Sequence, residues 1–187
     1  SDDVRSENDG SIRYSMMIII LLLFVRVLKI GLTGFLFNNR RLEHINLGRE
    51  ILVIAGVYLA WIIANWAVTT LMDGEGRVRD IIIITSNALI PIIIADVSII
   101  VLSNLMTLRE GVFLSFISSL SVVWMVMILF TGIINIHRYS ASKAVIAMIL
   151  TIVGILFMFF LIALVFSLLN QMMLFFNNLF TEVMYRI

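Results

Sequence analysis

One carboxylate, Asp96, sits inside an apolar run that extends from Ile81 to Leu105. A charge at the centre of a bilayer costs at least about 2.5–3.5 kcal/mol on insertion scales, so such a residue needs a partner or a task. Two cations are available to it. Arg26 and Lys29 interrupt the first apolar run three residues apart, which puts them on one helical face with Thr33 close to the same stripe. Three chemistries are open for Asp96. It can form a structural ion pair with Arg26 or Lys29, stay neutral because burial raises a carboxyl pKa, or line a path for an ion or substrate. The cations have two placements. In one, the spanning part of the helix ends near Val25, Arg26 and Lys29 snorkel to the head groups, and residues 28–37 lie on the interface. In the other, the helix spans to Phe37 and both cations face the bundle interior. The insertion cost favours the first.

A second concentration of charge is the loop Asp73-Gly74-Glu75-Gly76-Arg77-Val78-Arg79-Asp80. Its three carboxylates and two arginines could dock a cytoplasmic partner, bind head-group phosphates or lock a helical hairpin by ion pairing. A solvated turn whose glycines permit positive φ accounts for the pattern equally simply. It is not a calcium loop, because the alternating oxygen ligands and terminal Glu are missing. Pro91 removes a backbone hydrogen bond and is expected to kink its helix statically. The carbonyl freed near Asn87 would turn to Ser86, Asn87 or Asn65. Asn65, inside the second apolar run, is expected to make an interhelical hydrogen bond worth about 0.6–2 kcal/mol.

Enzyme chemistry lacks its parts. His44 and His137 are the only imidazoles, cysteine is absent, and no zinc-protease, nucleophile-elbow or P-loop pattern occurs. The two histidines fall at opposite membrane sides in a five-span arrangement, which disfavours a shared metal site. The expectation is therefore no catalytic residue, no cofactor and no metal.

These residues are carried by five apolar blocks, Tyr14–Phe37, Ile51–Met72, Ile81–Leu105, Val112–Ile136 and Ala144–Phe176. Each is long enough to cross a hydrocarbon core of roughly 30 Å, which takes about 20 helical residues. The chain is 61% hydrophobic and only 13% charged, with a net charge of +1, and its mean hydropathy is +1.11. A soluble domain would be nearer roughly 45–50% apolar and 25% charged. The composition predicts an all-α, polytopic integral membrane protein with five transmembrane helices. It argues against a nucleic-acid footprint. Residues 1–10 read as a polar tail, disordered or on the surface, 11–180 as the membrane domain and 181–187 as a short C-terminal tail. The first apolar block is too long for a cleavable signal, so the first helix is expected to act as its own insertion signal. The last block is too long for a simple span. Ser167, Asn170, Gln171, Asn177 and Asn178 cluster on one face of its end, so it should tilt, bend or emerge. Loop cations are nearly balanced between the two sides and give only a preference for a cytoplasmic N-terminus.

The stretch from Ala64-Asn65-Trp66 through Thr69-Thr70-Leu71-Met72 to Asp73-Gly74-Glu75-Gly76 resembles the bacterial branch of the Yip domain family. Arg79-Asp80 and Asn87-Ala88-Leu89-Ile90-Pro91 extend the likeness, as do Leu32-Thr33-Gly34-Phe35-Leu36-Phe37-Asn38 and Leu102-Ser103-Asn104. The family takes its name from eukaryotic members that interact with Rab-type GTPases and act in vesicle trafficking. The resemblance covers roughly Ser11 to Arg186. It implies a multi-pass membrane protein with a cytoplasmic N-terminus and no catalytic residues. Asp96 departs from the small or apolar residue that the resemblance leads one to expect there.

Together these readings predict a non-enzymatic protein of the cell membrane. It would act as a scaffold or accessory subunit for membrane or cytoplasmic partners, a transport complex among the candidates, with the lipid bilayer as its solvent and oligomers open. The competing reading is a permease subunit that conducts an ion or small solute past Asp96 and Arg26.

Overall fold

Inside a bilayer an apolar segment must satisfy its backbone internally, and helix is the form that does so within one segment. The computed structural model describes the backbone of residues 2–37 and 46–185, with side chains at 12–37, 46–182 and 184–185. It is helical almost throughout, with no strand among the described residues. The helices are α1 (Asp2–Leu32), α2 (Leu47–Leu71), α3 (Val78–Ala88), α4 (Ile90–Ser103), α5 (Gly111–His137) and α6 (Ala141–Tyr185), with a 3₁₀ turn at Leu108–Glu110 before α5.

They make five segments long and apolar enough to cross a membrane: Ile12–Leu32, Leu47–Leu71, Val78–Ser103, Leu108–His137 and Ala141–Glu182. Only 6–39% of the most apolar part of each is buried inside the protein. The outer surface is consequently made of Leu, Ile, Val, Phe and Met side chains, far beyond the apolar patch a soluble monomer exposes. Lipid, not water, is the solvent this surface fits.

Two apolar clusters hold the bundle. Ile18, Leu22 and Val25 recur at the spacing of one helical face and carry α1 onto Ile93 of α4, with Ile54 and Ile90 around them. The second joins Ile133 of α5 to Tyr139, Ala144 and Ala147, with Trp61 and Val68 of α2 packed against it. Ala144, Ala147 and Thr151 are fully buried on one stripe of α6. Small residues there let α2 approach closely, the usual device of helix pairs in lipid.

Two expectations need correction. The N-terminal segment is not irregular: α1 begins at Asp2, and acidic residues in a first turn complement the helix dipole. Nor is residue 181 the start of a tail, because α6 runs unbroken to Tyr185. α1 continues about two turns past the core cluster to Leu32 without a break at Val25, and only residues 33–37 form a turn. The third span is two helices, α3 and α4. Leu89 interrupts it, and Pro91 takes its place in the first turn of α4, where its missing N–H is harmless.

Candidate functional site

α1 and α4 run side by side in the same direction, so their C-terminal ends meet at one rim of the bundle. Gly34 makes this possible. A Cβ at that position would fall on the backbone carbonyl of Ser103. With glycine there, the Gly34 N–H donates to Ser103 Oγ at 3.0 Å. The Asn104 amide donates to the Leu32 carbonyl at 2.9 Å, which caps the end of α1. The fragments Thr33-Gly34 and Ser103-Asn104, far apart in sequence, are thus two halves of one joint.

Just inside that joint the structure brings Asp96, Arg26 and Lys29 together. Lys29 Nζ lies 2.5 Å from Asp96 Oδ1 and Arg26 Nε lies 2.8 Å from Oδ2. The Arg26 contact is out of hydrogen-bonding line, so Oδ2 meets a charge without a directed hydrogen bond. The Asp96 side chain is 4% exposed, against 25% for Lys29 and 40% for Arg26. Lys29 precedes the end of α1 by about 4.5 Å and Arg26 by about 9 Å, at 1.5 Å per residue. Both placements considered from the sequence are therefore partly realised. The cations point at the bundle, yet they sit near its rim, where a guanidinium can remain half in contact with head groups. The cluster carries two positive charges and one negative.

The opposite rim is built around the α2–α3 loop. Here the glycine argument from sequence needs revision: no described glycine has positive φ, and the left-handed residues are Asp73 (φ 54°) and Arg138 (φ 52°). Gly74 and Gly76 serve close approach instead. A Cβ on Gly74 would strike His137 Nδ1 and the Tyr139 hydroxyl, and one on Gly76 would strike Ile136 and His137. The Gly76 N–H donates to His137 Nδ1 at 3.1 Å. The Tyr139 hydroxyl donates to the carbonyls of Thr69 (3.1 Å) and Met72 (3.2 Å), which closes the end of α2. Burial, then the neighbouring Asp73 carboxylate, hold the Tyr139 phenol above its usual pKa, so it stays a donor. Lys143 Nζ lies 4.5 Å from the centre of the Tyr139 ring.

The described contacts of this loop's charges go to different elements. Asp80 falls in the first turn of α3, where its carboxylate accepts the Arg77 N–H at 3.0 Å. Glu75 reaches across to Arg138 at 3.2 Å, with both side chains largely exposed. Asp73 and Arg77 are exposed, and Arg79 is half-buried and engaged. His44 and Arg40 lie outside the described residues.

Between the rims, Asn65 donates to Thr151 Oγ1 at 3.2 Å, and both are fully buried. That bond joins α2 to α6. Asn65 is therefore not the partner of the carbonyl near Asn87. Asn87 lines an apolar groove between α4 and α5 together with Pro91, Ser98, Ser121 and Trp124. Among the described residues, Asn65 Oδ1 and His137 Nε2 are buried without a protein partner, and both residues line one small void. Sequence reasoning missed Tyr139, Thr151 and the bond of 2.9 Å between Tyr58 and Ser86. For Tyr58 and Thr151 the available signal was that a Tyr or Thr inside an apolar run must spend its hydroxyl on a partner; Tyr139, between two runs, gave none.

The polar residues join helices, and the fold defines a class: a multi-pass, all-helical membrane protein. Within that class, the model of the Yip1 domain matches residues 2–165. The chain belongs to the Yip1 domain family. No curated protein and no solved structure matches it.

Proposed function

We propose that this chain is a non-enzymatic scaffold or accessory subunit, which holds partner proteins at the cell membrane with its N-terminus in the cytoplasm. The observation that supports this best is the use of its intramembrane polar groups. Asp96 is taken up by Arg26 and Lys29, Asn65 by Thr151, and Ser103 and Asn104 by the end of α1. Chemistry directed outward is left to the loop between α2 and α3, where Asp73, Glu75 and Arg77 are exposed. A protein component of a transport complex fits such a loop.

The test is affinity purification from native membranes of the wild type and of a loop variant, Glu75→Lys with Arg77→Glu, which keeps the net charge. A co-purifying partner that is lost with the loop variant, while thermal stability in detergent is kept, supports the reading. A partner that is retained, or no stoichiometric partner at all, counts against it.

A permease subunit is the second reading. The half-exposed Arg26 and the surplus positive charge of its cluster favour it. Asp96→Asn in reconstituted vesicles separates the two. Flux that disappears while the protein stays assembled supports a permease. Loss of assembly that Lys29→Met restores supports a structural pair.

A further inference from the structure

α6 is far longer than its task of crossing a membrane. Its spanning segment, Ala141–Glu182, has 42 residues, or about 63 Å of helix. Even tilted by ~40°, the upper end for membrane helices, it would extend about 48 Å along the membrane normal. That exceeds the roughly 40–45 Å of a whole bilayer with head groups. Its antiparallel neighbour α5 has 27 residues, so α6 draws level with the far end of α5 near Ser167.

Three changes coincide along this helix. Burial ends: every described side chain from Phe159 onward is exposed. The family match ends at residue 165. And the sequence changes from apolar all round to two-sided. At 100° per residue, Ser167, Asn170, Gln171, Asn177, Asn178 and Thr181 fill one arc. Leu168, Leu169, Met172, Phe176, Leu179 and Phe180 fill the opposite one, and Leu174 is the one apolar residue at the centre of the polar arc. The polar arc contains no Lys or Arg, and Glu182 at its edge is the one charged residue between Phe159 and Tyr185.

An arc of Phe, Leu and Met on a helix that has left the hydrocarbon core cannot be left in water, and the nearest apolar medium is the membrane it has just crossed. We propose that in a bilayer α6, one continuous helix to Tyr185 here, bends near Phe166, so that residues 166–185 lie as an interfacial helix on the membrane face where it emerges, with the Phe176 side sunk in the acyl boundary and the Asn178 side facing water. This surface is recognised by apolar insertion between loosely packed lipids rather than by attraction to anionic head groups, because the polar arc lacks cations. The segment lies beyond the residues that the family model matches. It braces the bundle against one leaflet, on the side opposite the Asp73–Arg77 loop.

The chain has no cysteine, so single nitroxide labels can be placed at will. Four variants of the full chain, Leu169→Cys, Gln171→Cys, Phe176→Cys and Asn178→Cys, are labelled and reconstituted in phosphatidylcholine vesicles with and without phosphatidylglycerol. The expected result is a helical alternation. Leu169 and Phe176 labels collide with oxygen at a depth of about 5–10 Å below the head groups. Gln171 and Asn178 labels collide several-fold more often with a water-soluble relaxing agent, and the lipid charge changes neither. Three results would overturn the proposal. One is depth that varies steadily with residue number, as in a continued straight helix. Another is loss of water access at Gln171 and Asn178 with spin–spin broadening, as in a pair of copies joined through the Asn arc. The third is alternation that appears only with anionic lipid.

Discussion

Consider the removal of the carboxylate at the centre of the rim cluster, by Asp96→Asn, beside the removal of its closer partner, by Lys29→Met. Breaking a buried ion pair by deleting one partner typically costs about 3–5 kcal/mol, because the survivor is left charged and unpaired. Asp96 is nearly fully buried and belongs at that level when it is stranded. Arg26 softens the loss of Lys29, although at 40% exposure its contact is screened and worth no more than about 1 kcal/mol. Lys29→Met should therefore destabilise by about 2–4 kcal/mol. Asp96→Asn strands Lys29 instead. Lys29 is a quarter exposed and about one turn from the end of α1, so its ammonium can swing toward the head groups. That loss should be smaller, about 1–3 kcal/mol. The double variant leaves neither group stranded and should cost less than the sum, with a coupling of about 1–3 kcal/mol. The assay is reversible unfolding of all four proteins in lipid bicelles. Additive losses, with a coupling below about 0.5 kcal/mol, would refute the pairing argument, because the three groups would then be solvated independently.

Further expectations follow from the joints. Gly34→Ala should push α1 away from Ser103 and destabilise by about 1–3 kcal/mol, as overpacked cores do; Gly31→Ala, where a Cβ meets nothing, should be neutral or better in the same unfolding assay. Thr151→Val should cost about 0.6–2 kcal/mol by stranding the Asn65 amide, with faster hydrogen exchange along α2 as the local readout. Tyr139→Phe should cost about 1–2 kcal/mol by freeing two carbonyls. In the wild type, the Tyr139 pKa is raised in the folded state. Its contribution is therefore fully present below the unfolded phenol value near ~10 and is lost as pH rises through the folded value. An absorbance titration of wild type against Tyr139→Phe should show that the missing phenol is one that ionises above the ordinary tyrosine value.

Much of this architecture was legible because hydropathy is a property of single segments. Five runs of apolar residues suffice to specify five crossings, and no partner needs to be known. What could not be read were features that depend on which segment faces which. The sequence offers glycines at 74 and 76 and an inference about backbone φ, yet the left-handed residue is Asp73, and the glycines answer to His137 and Tyr139 about sixty residues away. Asn65 declares a need for a partner without naming Thr151. Asp96 was the exception. Intramembrane cations are so few that counting them narrowed the candidates to Arg26 and Lys29. The extent of α1 and α6 was misjudged for another reason: composition marks where lipid ends, and a helix can continue past that point.

The Lys29–Asp96 contact spans 67 residues of chain, and this has a consequence for biosynthesis. At a ribosomal rate of about 5–20 residues per second, roughly 3–13 s separate the appearance of the cation from that of its anion. Throughout that interval the first helix is in the membrane with two bare charges. Their position within two turns of its end lets both wait at the lipid surface until α4 arrives, and a location one or two turns deeper would remove that shelter. The nascent chain can therefore insert in order, and the final neutralising contact is made sideways, within the bilayer, after the hairpin of α2 and α3 has formed.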